Sequence, residues 1–228
     1  MRLVAHEFMT LDGVMQGPGG AEEDTSGGFR WGGWGATIFD DVVAETVDGW
    51  FRGTEALLFG RTTFDMMADY WPQVTDPGDA VAARLNAAPK HVVSSTLGAT
   101  GPLSGAGPWA STTQVIADDV PERIRRLKEQ GDGELQVHGS WQLLQTLVAE
   151  RLFDELRLIV VPTVIGSGKR VFEQASPSGF EVTDARVATN GCVAMTLVPA
   201  PFRTATFEVV DGKERMVGEQ SLGEQPQV

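Results

Sequence analysis

The sequence predicts an α/β protein in which a mainly parallel central sheet is closed on its C-terminal side by an antiparallel hairpin. Three observations carry that expectation. The segments EALLFGRTTFDMM (residues 55–67) and ELQVHGSWQLLQTL (residues 134–147) each run from a strand through a glycine straight into a helix. Residues 56–59 and 156–161 are apolar enough for strands covered on both faces, as parallel strands are. Asn190-Gly191 separates two strand-like segments, residues 180–188 and 192–198, in the manner of a tight hairpin.

The totals bound the rest. A chain of 228 residues with 42% hydrophobic content can bury a sizeable core. Its formal net charge of −13 repels phosphate backbones and anionic lipid heads, which argues against nucleic acid and membrane as partners. No stretch has the length of a spanning helix, and MRLVAHEFMT lacks the apolar centre of a signal peptide, so the expected location is cytoplasmic. Cys192 has no second thiol to pair with, and three scattered histidines offer no recognisable metal spacing, so no metal is expected. Cys192 is expected to be buried in a strand.

Taken in order, residues 2–9 form a short strand in which Leu3, Ala5 and Glu7 alternate with Val4, His6 and Phe8. His6 reads first as a satisfied sheet histidine and only second as a catalyst. Asp12-Gly13 is a turn pair at that strand's exit, where open sheets place their pockets. Residues 16–35 are rich in glycine, acid and tryptophan; Phe29, Trp31 and Trp34 are costly to leave wet, so this loop is read as folded over a pocket, with a loose surface insertion as the alternative. Phe39, Val42, Val43, Thr46, Val47, Trp50 and Phe51 recur at helical spacing, while Asp40, Asp41, Glu45 and Asp48 fall mostly on the other faces.

Gly60 allows a close turn, and Arg61, Thr62 and Thr63 follow it. If Thr62 or Thr63 caps the next helix, hydroxyls, a guanidinium and free amides converge in a phosphate site; the plainer reading is a capped strand-to-helix junction. That helix ends at Tyr70-Trp71-Pro72. A short helix over residues 79–87 precedes a strand over residues 90–96, which closes on three hydroxyl residues including Ser94 and Ser95. After a glycine- and proline-rich loop, residues 113–117 form a strand, and Pro121 opens a helix with Ile124 and Leu127 inward. Gly139-Ser140 repeats the strand-to-helix junction. The segment PTVIGSGK (residues 162–169) fails the P-loop spacing, and no G-x-G-x-x-G follows a strand. Residues 204–210 and 213–217 flank Asp211-Gly212 as a second, smaller hairpin. One domain over residues 1–203, an extra hairpin over 204–218 and a fraying tail over 219–228 are expected.

With TLDGVMQGPGG, LLFGRTTFDMMADYWP, HVVSST, LQVHGSWQLLQTL and ELRLIVVPTVIGSGKRVFE in this order, the chain resembles the dihydrofolate reductase-like proteins, and within them the branch holding the reductase domain of bacterial riboflavin biosynthesis, RibD. The resemblance covers about residues 1–200. It implies a three-layer fold with a sheet of about eight strands and an NADP(H) site at the strand exits. Gly60, Arg61, Thr62 and Thr63 match the family's phosphate contacts, Ser94 and Ser95 its hydroxyl pair around the 2′-phosphate, and Gly139 and Ser140 its glycine pair beneath the pyrophosphate. The serine departs from that pair and narrows the approach by one hydroxymethyl group. Asp12 and Gly13 match the loop beside the nicotinamide, and Val164 and Ile165 the apolar lining of the same cleft.

Asp12 is the candidate for orienting substrate or relaying a proton, and Trp34, with Gly13, for the substrate wall. The acid that dihydrofolate reductases carry on the helix before GRTTF has no certain counterpart. The expected function is hydride transfer from NADPH to a small planar heterocycle, pterin-like or flavin-precursor-like, with a non-catalytic binder on the same fold as the alternative. A homodimer is expected, partly from the resemblance and partly because the last hairpin leaves a sheet edge to cover.

Overall fold

The computed structural model describes residues 1–97, 107–173 and 175–222. Six strands, β1 (Arg2–Thr10), β2 (Thr54–Gly60), β3 (Lys90–Val93), β4 (Thr113–Ile116), β5 (Glu134–His138) and β6 (Glu155–Val161), are mutually parallel in the order β4-β3-β2-β5-β1-β6. β8 (Val193–Ala200) joins β6 antiparallel, and β7 (Gly179–Val187) joins β8, which completes an eight-stranded sheet. β9 (Phe202–Val210) and β10 (Lys213–Leu222) pair with each other as a separate hairpin.

Alternation along each strand sorts the helices into two layers. Ala56 and Leu58 of β2 face α4 (Val120–Lys128) and α5 (Trp141–Ala149), whose Ile124, Leu127, Leu143, Leu144 and Leu147 complete that core. Leu57 and Phe59 face the other way, onto α1 (Asp41–Phe51), α2 (Arg61–Tyr70) and α3 (Ala80–Ala87), through Phe51, Phe64 and Leu85.

Local chemistry shifts several expected boundaries. α1 begins at Asp41 because the Asp40 carboxylate accepts the Val43 N–H at 2.9 Å as an N-cap, which leaves Phe39 outside the helix. β3 stops at Val93, since Ser94 turns the chain. β10 persists to Leu222, past the expected onset of fraying, while residues 223–228 lie outside the described residues, as does the first part of the glycine- and proline-rich loop. Cys192 is buried as expected, one residue ahead of β8.

The α1-facing side of β5, β1 and β6 is polar. Register brings Glu134, Gln136 and His138 beside His6, Glu155 and Arg157. Arg157 donates to Glu134 Oε1 at 2.7 Å and to Glu134 Oε2 at 3.1 Å, and its Nε pairs with Glu155, while Arg2 closes the ring onto both glutamates from the exposed side at 3.0 and 2.9 Å. A side chain on Gly53 would strike the Glu134 carboxylate, its nearest atom 2.5 Å from the added carbon.

A second buried charge lies at the start of β3. The Lys90 Nζ donates to the carbonyls of Asn86 and Ala88 at the end of α3, at 3.1 and 2.6 Å, and sits 4.5 Å above the Trp109 ring. Burial pulls its ammonium from the ordinary 10.5 down to about 8. The unfolded chain then holds this proton more tightly between those values, so folding stability rises as pH climbs through that window and carries the full cost of the buried charge below it. Lys90→Met removes this dependence. Urea denaturation at pH 7 and pH 10 is expected to show wild type gaining roughly 2 kcal/mol relative to the variant.

Candidate functional site

The parallel strands deliver their carboxyl ends to one edge of the sheet. In spatial order from β3 through β2, β5 and β1 to β6, that edge carries Ser94-Ser95, Gly60 to Thr63, Gly139-Ser140, Asp12-Gly13 and Val164-Ile165. Every strand-exit position singled out in the sequence therefore falls on one continuous rim.

The centre of the rim is tied through Ser140. Its Oγ accepts the Gly60 N–H at 2.9 Å and donates to the His138 carbonyl at 3.1 Å, so the hydroxymethyl group is buried. Instead of narrowing an approach from outside, it joins the starts of α2 and α5 from beneath. Gly60 is the N-cap of α2 and Ser140 that of α5, and neither helix has a side-chain cap. Thr62 and Thr63 lie inside the first turn of α2 and cap nothing; the Thr63 hydroxyl donates to the Gly139 carbonyl at 3.3 Å. Two helix amino ends without side-chain caps thus stand side by side, the arrangement that favours an anion. Arg61 stands half-exposed beside them, paired with Asp65.

The outer positions differ in what they leave free. Ser94 is buried, and its Oγ accepts the N–H groups of Thr96 and Leu97 at 3.3 and 3.2 Å, whereas Ser95 is exposed. Val164 is exposed and Ile165 half-buried. Gly13 adopts φ +80° in the turn after β1, where its N–H donates to the Thr10 carbonyl at 2.9 Å.

Residues 16–35 are folded against this rim. The Gln16 amide donates to the carbonyls of Asp24 and Ser26 at 3.2 and 3.0 Å, and Lys169 Nζ pairs with Asp24 at 2.6 Å. Phe29 is buried, Trp31 is exposed, and Trp34 packs against the buried cluster that holds Ile38, Val43 and Ile159, with its Nε1 donating to the Gln16 carbonyl at 2.8 Å. A cavity of about 270 Å³ lies between this loop and the 167–173 segment, lined by Gln16, Phe29, Trp141, Gly168 and Lys169 among others. A wider depression of about 620 Å³, lined by Met1, Arg2, Arg125, Lys128, Glu129 and Asp154, opens at the opposite edge of the sheet, away from every strand exit.

Against this geometry the comparisons with known proteins are specific. Residues 2–195 match the RibD C-terminal domain. The chain belongs to that family. YyaP of Bacillus subtilis (strain 168) is 25% identical over 173 residues, covering 75% of this chain and 80% of YyaP. Among solved structures, a putative riboflavin biosynthesis protein from Shewanella sp. PV-4 superposes with a TM-score of 0.62 at 20% identity over 88% of this chain and 99% of its own. A Thermotoga maritima diaminohydroxyphosphoribosylaminopyrimidine deaminase and 5-amino-6-(5-phosphoribosylamino)uracil reductase gives 0.57 at 16% identity, over 87% of this chain and 56% of its own. A dihydrofolate reductase from Enterococcus faecalis gives 0.52 at 14% identity, over 87% of this chain and 96% of its own. The fold is that of the dihydrofolate reductase-like proteins.

In this RibD C-terminal domain the Asp12 carboxylate serves as an anchor. It accepts the N–H groups of Ile165 and Gly166 at 3.2 and 2.7 Å and the Thr10 hydroxyl at 2.6 Å, with Arg170 3.7 Å away. The Thr10 hydroxyl first, and the two amides after it, hold the carboxyl down from the ordinary 3.8 to about 2. A group that stays ionised to such acidity is a poor proton donor at neutral pH, and its bonds tie the segment after β6 to the turn after β1. A depressed carboxylate contributes stability that is complete above the ordinary value and is lost as pH falls through about 2. Asp12→Asn is expected to flatten that acid limb in urea denaturation between pH 2 and 5, and to speed amide exchange at Gly166.

Two further groups of the RibD C-terminal domain sit under the rim. His6 and His138 lie with ring centroids 4.6 Å apart, His138 stacked on Phe51 at 4.7 Å. Burial first, then the neighbouring charges, holds both neutral: His6 well below its ordinary value and His138 down to about 3. Glu7 is 3% exposed on the opposite face, level with Gly139 on the neighbouring strand, and its Oε1 has no partner among the described residues. The signal for Glu7 was its alternation with Leu3 and Ala5, which places an acid on a core face.

Proposed function

We propose that the chain is an NADPH-dependent reductase that passes hydride to a C=N or C=O carbon of a small planar heterocycle, pterin-like or flavin-precursor-like. The observation that supports it is the pair of adjacent helix amino ends, α2 and α5, joined by Ser140 and flanked by Arg61. A surface of net charge −13 repels a polyanion, so local positive potential at this one rim is informative. The residues fit a dinucleotide. Gly139 has φ +58°, and a side chain there would meet only Thr63 Cγ2, at 3.7 Å, so the turn's outer side is open to a phosphate. In this assignment Gly60 to Thr63 with Gly139-Ser140 hold the pyrophosphate, Arg61 and Ser95 face the 2′-phosphate, and Gly13, Val164 and Ile165 flank the ring. Trp34 supplies an apolar wall for the substrate. The bound cofactor supplies the hydride, and the chain binds, orients and excludes water. The Enterococcus faecalis dihydrofolate reductase of the same fold was solved in complex with NADP(H), which supports the cofactor assignment.

A fluorescence titration with NADPH tests this: saturable binding below millimolar is expected, and none at millimolar cofactor removes it. One observation favours a second reading, a non-catalytic binder. Glu45 and Asp48 of α1 face solvent and Asp40 is engaged by Thr189, so α1 turns buried Thr46, and no acid, towards the sheet. NADPH binding without oxidation across a panel of pterins, pyrimidinones and quinones selects that alternative. We place the chain in the cytoplasm, where reduced dinucleotide is maintained, and we expect a homodimer, because Phe207, Val209 and Met216 leave the β9–β10 hairpin with exposed apolar surface that an isolated hairpin cannot carry alone. Sedimentation equilibrium checks the dimer.

A further inference from the structure

The amino end of α5 has an anion-competent group on each side of it. Outside is the open rim at Gly139. Inside is Glu7, on the face of β1 shared with Leu3 and Ala5; the pairing of His6 with His138 sets it level with Gly139 on the neighbouring strand, and its Oε1 has no partner among the described residues. A carboxyl buried to this degree without a cation is an unusual thing to keep in a core, since each polar atom left unpaired carries its full desolvation cost.

Among the described residues, the neighbours supply no countercharge. On β5, Glu134 and His138 point to the other face of the sheet, and on β6 Glu155 and Arg157 do the same. α5, WQLLQTLVA, contains no titratable residue. From the segment after β6, Lys169 is paired with Asp24 and Arg170 lies against Asp12; from α2, Arg61 is paired with Asp65. What remains to stabilise a Glu7 anion is the Gly139 N–H and the α5 amino end, the same donors that a phosphate seated from outside would use.

We propose that Glu7 is an internal acid that competes with a dinucleotide's pyrophosphate for the amino end of α5, so that seating the pyrophosphate drives a proton from solvent onto Glu7. This rests on the NADPH site assigned above. Glu7 acts through the turn and touches no reacting atom, so it is a positioning residue. Burial already pushes its carboxyl well above the usual carboxylate range. By linkage, wherever the unliganded protein has Glu7 ionised, affinity falls with rising pH by up to about tenfold per unit.

The test compares NADPH affinity of the full chain and of Glu7→Gln between pH 6 and 9 by fluorescence titration. All other titrations, including that of the cofactor's own 2′-phosphate, are common to both proteins. The wild-type Kd is expected to weaken with pH relative to the variant, by at least about fivefold across the range. Should Glu7→Gln fail to fold, calorimetry of the wild type with NADH, which has the pyrophosphate and no 2′-phosphate, is run in two buffers of different ionisation enthalpy. Proton uptake on binding is expected. Parallel Kd profiles for the two proteins, or no proton uptake, overturn the role of Glu7. An absence of binding by both proteins at every pH instead refutes the cofactor site, and the competition with it.

Discussion

Arg157→Leu is expected to lower the folding free energy by about 3–5 kcal/mol, read as a fall in the urea midpoint at unchanged slope. The reason is what the substitution leaves behind. Glu134 and Glu155 are almost wholly buried and meet Arg157 through short, charge-assisted bonds. Their other cation, Arg2, has a side chain 55% exposed and is screened by solvent, so it does not compensate for the loss. Arg2→Leu is accordingly expected to cost about 1 kcal/mol or less. Replacing all three buried members together, Glu134→Leu, Glu155→Leu and Arg157→Met, should come close to neutral, because the desolvation of every charge disappears with its attraction. A cost below about 1 kcal/mol for Arg157→Leu alone would mean that the glutamates are hydrated, and that the network does not hold β5, β1 and β6 in register.

That network also marks where the sequence stops being legible. The alternation of strand and helix, the glycine junctions at Gly60 and Gly139 and the Asn190-Gly191 hairpin are local signals, and the fold follows from them together with the order of five junctions. The polar face under α1 is a different kind of fact. Glu134, Gln136 and His138 make β5 look like an ordinary half-polar strand, and Arg157 is a single charge in an apolar run. Only the sheet order, with β1 seated between β5 and β6, turns three half-polar faces into one closed set of partners. The same limit applied at the rim. Asp12 was readable as a turn residue at a strand exit, but the amides that claim its carboxylate belong to Ile165 and Gly166, beyond the reach of any local pattern. Ser140 was readable as a departure from a glycine pair, yet whether its hydroxymethyl group faced outward or inward depended on the Gly60 N–H across the strand gap. Thr62 and Thr63 were plausible caps by composition, and the backbone of Gly60 took that position because it needs no side chain to begin α2.

Gly139→Ala is expected to weaken NADPH binding by between roughly ten- and a hundredfold, about 1.4–2.8 kcal/mol, while leaving the fold intact. Two effects add. A φ of +58° costs an alanine about 1–2 kcal/mol, which lowers stability and loosens the turn whose amides face the anion. The added carbon also occupies the open side of that turn, where the nearest atom is Thr63 Cγ2 at 3.7 Å and nothing else bars a phosphate. The first effect is separable from the second. Gly212, in the β9–β10 turn at φ +71°, pays a similar backbone cost on substitution and lies outside the strand-exit rim, so Gly212→Ala should lose comparable stability with unchanged NADPH affinity. If the two alanine variants bind NADPH equally well, the pyrophosphate does not pass over Gly139. The adjacency of the α2 and α5 amino ends would then serve packing, with Ser140 as its bolt, and the anion would have to be sought at the outer half of the rim, beside half-exposed Arg61 and exposed Ser95.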